Sequence, residues 1–91
     1  MRTVRLRIAG RVQGVGYRAW AERIAMDLGL RGWVRNRADG SVEMLATGPE
    51  EAVAPMIEAA GRGPLTARVS DVQVEDDTDD GSPGFAVRPT A

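Results

Sequence analysis

The chain of 91 residues contains no cysteine, no histidine and no lysine. Without cysteine it has no disulfide, no thiolate nucleophile and no thiolate metal site. Without histidine it lacks the usual general base and the commonest metal ligand. All 12 basic residues are arginines, whose permanently charged, fork-shaped guanidinium groups suit phosphate and carboxylate partners. These absences exclude thiolate and imidazole chemistry and leave anion binding open.

Long apolar runs are also absent, and none approaches the roughly 20 residues that span a bilayer. Charged and apolar residues alternate in the N-terminal stretch MRTVRLRIAG, which is not the pattern of a signal peptide. We therefore expect a single cytoplasmic domain, 1–91, with no membrane partner. Residues 1–48 carry nine arginines against four acidic residues, and residues 49–91 carry three against nine. An anionic ligand is expected at the N-terminal half.

Apolar periodicity predicts five strands and two helices. They are strand 3–9, helix 17–28, strands 30–37 and 41–47, a second helix, strand 67–75 and a short strand 85–88. The order βαββαβ, with one short extra strand, predicts an α+β ferredoxin-like sandwich with two helices on one face of an antiparallel sheet. Its third strand lies between the first and the second. The loop after the first strand should therefore lie close to Asn36, at the end of the second.

Side-chain parity predicts the turn between the second and third strands. A two-residue turn would set Asn36 across from Glu43, on the wrong face. A three-residue loop sets Asn36 across from Val42 and requires a type I turn followed by a left-handed glycine, which Gly40 supplies. We therefore expect the three-residue loop.

The second helix has a start signal and an obstacle. Thr47 and Glu50 have the spacing of a capping box, with Pro49 in the first turn. Pro55 should kink this helix or confine it to residues from about 54 on.

The segment GRVQGVGYR, residues 10–18, places three glycines between a strand and a helix. It is not a P-loop, because that motif requires a lysine, and its GxGxxG/A spacing is a weak match to a dinucleotide fingerprint in so short a chain. Two interpretations stay open. One is a plain strand-to-helix turn, which accounts for one glycine more easily than for three. The other is a cradle of backbone N–H groups for a small anion, with Arg18 folding over it.

Two segments, GRVQGVGYR and GWVRNRADGSVEMLATG from residue 32 to 48, resemble the signatures of the acylphosphatase family. The resemblance covers nearly the whole chain and implies a ferredoxin-like enzyme that hydrolyses acyl phosphates without metal or cofactor. It implies that Arg18 binds the phosphoryl group and that Asn36 positions the attacking water. It further implies that a backbone loop holds the phosphate, formed by Arg11, Val12, Gln13, Gly14, Val15, Gly16 and Tyr17.

The chemistry agrees with this resemblance. An acyl phosphate loses a carboxylate, whose conjugate acid has a pKa of about 4, so a general acid is not needed. We expect a monomer that takes a small acyl phosphate and binds inorganic phosphate or sulfate. Related domains occur inside larger hydrogenase-maturation proteins, but the chain ends soon after its last strand, which favours a free-standing enzyme. RNA binding is disfavoured because Arg5 and Arg7, and not aromatic residues, face outward from the first strand.

Four further features receive structural interpretations. Trp20 is expected in the core, and Trp33 on the outer face as a surface contact. Glu43 is a possible base, but its parity places it on the outer face, where we expect it to be solvated. The acidic segment 75–84 departs from the Ca²⁺-binding EF-hand pattern and is expected to be a solvated loop.

Overall fold

Seven elements follow one another in the computed structural model, which describes residues 1–91. They are β1 (Arg2–Arg11), α1 (Tyr17–Asp27), β2 (Arg31–Asn36), β3 (Val42–Gly48), α2 (Glu50–Arg62), β4 (Arg68–Asp76) and β5 (Phe85–Val87). Both helices and all five strands were predicted, most of them to within a residue or two. No helix has the length and apolar character to cross a membrane.

The strands form one sheet in the order β4-β1-β3-β2-β5. The β3 strand lies between β1 and β2 and pairs antiparallel with both, as the ferredoxin-like arrangement predicts. The short β5 pairs parallel with β2, so the sheet is mixed at one edge and not wholly antiparallel. This parallel edge brings the last strand alongside the end of the strand that carries Asn36.

The core lies between the sheet and the two helices. Alternate residues of β1 and β3 face it, because side chains alternate across a strand; the fully buried ones are Val4, Leu6, Ile8, Val42, Met44 and Ala46. The buried stripe of α1 consists of Tyr17, Ala21 and Ala25, spaced by four residues. Trp20, expected in the core, is only partly buried at its edge, where it packs edge-to-face against Tyr17.

The β2–β3 hairpin has the predicted register, with Asn36 across from Val42. Arg37 N–H donates to Ser41 O at 2.8 Å, and Gly40 N–H donates to Arg37 O at 3.1 Å. Gly40 has φ of 94°, the left-handed conformation that this three-residue loop requires. Asn36 is thereby placed on the helix-covered face of the sheet.

The start of α2 differs from the prediction. The Thr47 hydroxyl is not a cap, because it lies 2.8 Å from the Thr3 hydroxyl in a buried cross-strand pair. Pro49 occupies the cap position and makes no side-chain hydrogen bond. The helix runs from residue 50 through Pro55, so confinement to later residues was wrong. Glu51, whose carbonyl loses its helical partner to the proline, is exposed on the same side, where water can satisfy it.

The helix-free face of the sheet carries two further corrections. Glu43 was expected to be solvated, but its side chain is 2% exposed among the guanidinium groups of Arg5, Arg35 and Arg37. Trp33 was expected to be a surface contact and is only 4% exposed. Its indole N–H donates to Asp80 at 2.9 Å. Long arginine side chains and the 77–84 loop cover this face.

Candidate active site

A five-residue loop, residues 12–16, connects β1 to α1. Gly14 and Gly16 have φ of 72° and 78°, in the left-handed region. Left-handed residues that alternate with ordinary ones turn successive N–H groups toward one another, which forms an anion-binding nest. The N–H groups of the loop and of residues 17–19 have no acceptor within the chain, and the first paired one is Trp20 N–H, which donates to Gly16 O at 3.1 Å. The loop is therefore more than a plain turn and presents free donors at the positive end of a helix.

The third glycine of the segment has another role. Gly10 lies within β1, next to a register shift between β1 and β4, and has φ of 121°. A Cβ at this position would lie 2.2 Å from the carbonyl oxygen of Arg68, so a side chain cannot be accommodated. Arg11 follows as the last residue of β1 and pairs with Arg68. Gly10 and Arg11 thus belong to the sheet, and the loop begins at Val12.

Three side chains make four hydrogen bonds that anchor the loop and the start of α1. The Gln13 amide donates to Arg37 O and Ser41 O of the hairpin, at 2.8 and 2.9 Å. The Thr66 hydroxyl donates to Val15 O at 2.7 Å from the α2–β4 connection. The buried Tyr17 hydroxyl donates to Ala60 O at 2.7 Å, near the end of α2. Each of the three side chains ties the loop or the helix start to a different neighbour, or is itself that neighbour's contact to the loop.

A cavity of about 230 Å³ lies between this loop, the start of α1 and the ends of β2 and β5. Gly14, Gly16 and Arg18 line one side, and Asn36 and Val87 line the other. Its volume is below the usual range for drug-sized ligands, which suits a small molecule.

Arg18 is the only charged residue that lines the cavity. It lies in the first turn of α1 and is half-buried, and it makes no salt bridge or hydrogen bond within the chain. An unpaired guanidinium beside free N–H groups gives the cavity a positive potential and the donors to bind an anion bidentately.

Asn36 lines the same cavity and carries an unpaired acceptor. Its Oδ1 is buried and has no hydrogen-bond partner in the chain. A buried polar atom normally has a partner, so this oxygen keeps an unused acceptor position beside the cavity. Strand pairing with Val42 holds the backbone of Asn36, and its carbonyl accepts a bond from Ala91 N–H at 3.0 Å.

No group in the cavity is suited to titrate near neutral pH. Burial raises the pKa of the Tyr17 phenol above its ordinary value of 10.0. No carboxylate lines the cavity, and Glu43 lies on the opposite face of the sheet. No group of three or more carboxylates lies close enough together to hold a metal ion.

The predicted site residues divide into two groups. The cavity is lined by Arg18 and Asn36, and by Val12, Gly14, Gly16 and Tyr17 from the loop segment. Arg11, Gln13 and Val15 do not line it: Arg11 ends β1, Gln13 bonds to the hairpin and Val15 packs against the core. Sequence reasoning missed Ala19 and Val87. Ala19 follows Arg18 by one residue, whereas Val87 depends on a parallel pairing for which the sequence carries no local signal.

The sequence model of the acylphosphatase family matches residues 4–87. The chain belongs to the acylphosphatase family. It is 51% identical to an acylphosphatase of Rhodospirillum rubrum, over 99% of each chain. Among solved structures it is similar to the Bacillus subtilis acylphosphatase, with a TM-score of 0.93 and 39% identity over 97% of this chain and 99% of that one. The Coxiella burnetii acylphosphatase gives a TM-score of 0.91 and 33% identity over 96% and 92%.

Membership of the acylphosphatase family makes the chain an enzyme, with a small acyl phosphate as the substrate class. The ferredoxin-like fold, predicted from the order of its elements, is confirmed by the same structural similarity.

Proposed function

We propose that the protein hydrolyses the carboxyl–phosphate bond of acyl phosphates without a metal ion, and that Arg18 and Asn36 carry the reaction. One observation supports this above the others. Arg18, whose guanidinium is unpaired, and Asn36, whose buried Oδ1 is unpaired, line one cavity beside a loop of free N–H groups. In the proposed complex, N–H groups from loop 12–16 and the fork of Arg18 hold the oxygens of the phosphoryl group, and the helix end adds its positive field.

Asn36 orients the nucleophile. Its free Oδ1 accepts a hydrogen bond from a water molecule and directs the water oxygen toward phosphorus. An amide is too weak a base to remove a proton, but a loose phosphoryl-transfer transition state needs little deprotonation of the nucleophile. Asn36 therefore acts by position, which alone lowers a barrier substantially.

The bonds that change are few. The water oxygen forms a bond to phosphorus, and the bond between phosphorus and the acyl oxygen breaks. The electron pair of that bond leaves on the carboxylate, and the proton from water passes to the new phosphate or to solvent. Since a carboxylate is a stable leaving group, the reaction needs no general acid, which agrees with a cavity free of carboxylates. An alkyl phosphate, which would release an alkoxide, should not be hydrolysed.

Within this proposal residues 1–91 act as one domain and as a monomer, in the cytoplasm. The proposed mechanism uses only Arg18, Asn36 and the N–H groups of loop 12–16 of the same chain, so it does not call for a second subunit. Inorganic phosphate, the product, or sulfate should occupy the phosphoryl position as an inhibitor.

The test is a hydrolysis assay with acetyl phosphate on the wild type, Arg18→Ala and Asn36→Ala, with an alkyl phosphomonoester as the control substrate. We expect turnover of acetyl phosphate only, with a large loss in both variants. Equal turnover of the two substrates, or full activity in either variant, would contradict the proposal.

A further inference from the structure

Gln13 belongs to the glycine loop, but the hydrogen bonds of its side chain play no part in binding phosphate through the loop backbone. Its side chain points away from the cavity, and its Nε2 donates to Arg37 O at 2.8 Å and to Ser41 O at 2.9 Å. These two carbonyls stand at the two ends of the three-residue turn of the β2–β3 hairpin. One amide group therefore uses both of its N–H donors to hold both ends of that turn.

These bonds join the two halves of the candidate site. Arg37 directly follows Asn36 in the chain, and Gln13 directly precedes Gly14 of the loop. No other hydrogen bond connects loop 12–16 to residues 36–41. The Gln13 amide is thus the shortest polar connection between the loop that faces the phosphoryl group and the strand end that carries Asn36.

We infer that Gln13 is a positioning residue whose amide sets the separation between the phosphate-binding N–H groups and the Asn36 side chain. This inference rests on the proposed role of Asn36 in orienting the water. The reason is geometric: the water must lie in line with the breaking bond, and a displacement of about 1 Å costs about 10²-fold in rate. Backbone pairing of β2 and β3 fixes Asn36 within the sheet, and the Gln13 amide supplies the hydrogen bonds that tie the loop directly to the end of that hairpin.

The chemistry of the contact requires an amide donor. The two carbonyls already accept backbone bonds, from Gly40 N–H and Arg37 N–H, so the hairpin retains its own hydrogen bonds without Gln13. Methionine at position 13 would fill similar space but donate nothing. Glutamate would point carboxylate oxygens at two carbonyl oxygens and repel them. Both substitutions remove the connection and leave the elements that it connects.

The test is a double-mutant cycle on kcat for acetyl phosphate, with Gln13→Met and Asn36→Ala. If Gln13 acts through Asn36, Gln13→Met should lower kcat by about 10- to 100-fold in the wild type. In the Asn36→Ala background it should lower kcat by less than about 2-fold, because no positioned amide is left to misplace. The inhibition constant of inorganic phosphate should change little in either background. Gln13→Glu, equal in size to the native residue, repeats the cycle if Gln13→Met does not fold.

Thr66→Val is the matched control. It removes a hydrogen bond of similar length to the same loop, at Val15 O, but from the side away from Asn36. Thr66→Val should lower kcat by the same factor in the wild type and in the Asn36→Ala variant, whatever the size of that factor. The inference would be overturned if Gln13→Met lowered kcat by equal factors in the wild type and in Asn36→Ala. It would also be overturned if Gln13→Met had no effect on kcat.

Two other outcomes distinguish failure of the role assigned to Gln13 from failure of the proposed function. Equal non-additivity of Thr66→Val and Gln13→Met with Asn36→Ala would assign the coupling to the loop as a whole and overturn the specific role of Gln13. Full activity of Asn36→Ala itself would instead contradict the proposed function.

Discussion

Arginine occurs in two contrasting regions of this molecule. On the helix-free face, Arg5, Arg35 and Arg37 surround the buried Glu43, with the closest nitrogen–oxygen distance 2.8 Å. At the cavity, Arg18 has no acidic partner in the chain. The first three guanidinium groups are engaged by the protein's own carboxylate, while the fourth can engage an external anion.

The contrast shows that residue type alone does not distinguish an arginine that the fold pairs with a carboxylate from one that it leaves unpaired beside a cavity. An arginine that already has an acidic partner in the chain is held at little cost in free energy, so it contributes to the fold. An arginine that is half-buried without an acidic partner costs free energy of folding unless a bound anion supplies that partner. Substitutions at the cavity should therefore lower the rate, and substitutions around Glu43 should lower the stability.

Arg18→Ala should have the largest effect. It removes the one side-chain charge at the cavity, and arginine clamps in phosphoryl transfer contribute about 10³–10⁵ in rate. Inhibition by inorganic phosphate should weaken as well, while the free energy of unfolding should stay the same or rise slightly, because Arg18 makes no bond within the chain that could be lost. Steady-state kinetics and urea denaturation measure the two quantities.

The control for Arg18→Ala is Arg5→Ala, which removes a matched arginine and should lower stability without lowering kcat. A variant at position 18 that keeps more than about a tenth of the activity would remove Arg18 from the mechanism.

Asn36→Ala should come next. Loss of one polar positioning group typically lowers kcat by about 10²–10³. The affinity for inorganic phosphate should be retained, because the loop and Arg18 remain. Kinetics with phosphate as a competitive inhibitor measure both values. Collapse of phosphate binding with an unchanged kcat would make Asn36 a phosphate ligand and reject the water assignment.

Glu43→Gln should affect stability and spare catalysis. The variant removes the charge that the three arginines share, at an expected cost of about 1–3 kcal/mol in the free energy of unfolding at neutral pH. Burial raises the pKa of Glu43, but the hydrogen bond from Arg35 and the charges of Arg35, Arg37 and Arg5 outweigh it and hold that pKa below its ordinary value of 4.5. Urea denaturation at several pH values measures the difference.

The sign of the pH effect follows from that lowered pKa. The contribution of Glu43 is complete above its ordinary pKa and is lost as pH falls through the lower, folded value. The stability difference between wild type and Glu43→Gln should therefore shrink in acid. A difference that grows in acid, or a large drop in kcat for the variant, would contradict the separation of the two regions.

The smallest expected effect is that of pH and chelation on the rate. An arginine side chain stays charged in this range, an amide does not ionise, and burial keeps Tyr17 protonated. The profile of kcat should be broad and flat from about pH 5.5 to 8, apart from ionisation of the substrate itself, and without a bell shape. Excess EDTA should leave the rate unchanged. A steep bell near neutrality, or inactivation by EDTA, would bring a carboxylate or a metal into the mechanism.

The amino-acid sequence by itself determined the order of the elements, the hairpin register and the nearness of the glycine loop to Asn36. These follow from local rules. Side chains alternate across a strand, Gly40 supplies the left-handed residue of a three-residue turn, and a helix between two strands returns the chain to the same edge of the sheet. Arg18 was predicted from the residues as part of an anion cradle, and the catalytic roles of Arg18 and Asn36 came from the family resemblance. Their placement in one cavity agrees with the topology.

Only the tertiary structure decided what covers each surface. Parity correctly placed Trp33 and Glu43 on the helix-free face, but it carries no information on whether long arginine side chains and a distant loop shield that face from water. For the same reason the sequence predicted Thr47 as a helix cap, although its hydroxyl forms a hydrogen bond with the hydroxyl of Thr3, 44 residues away in the chain. The hydrogen bonds from Gln13 to the hairpin also span more than 20 residues of sequence. Contacts of this kind depend on which segments the fold brings together, and no local pattern records them.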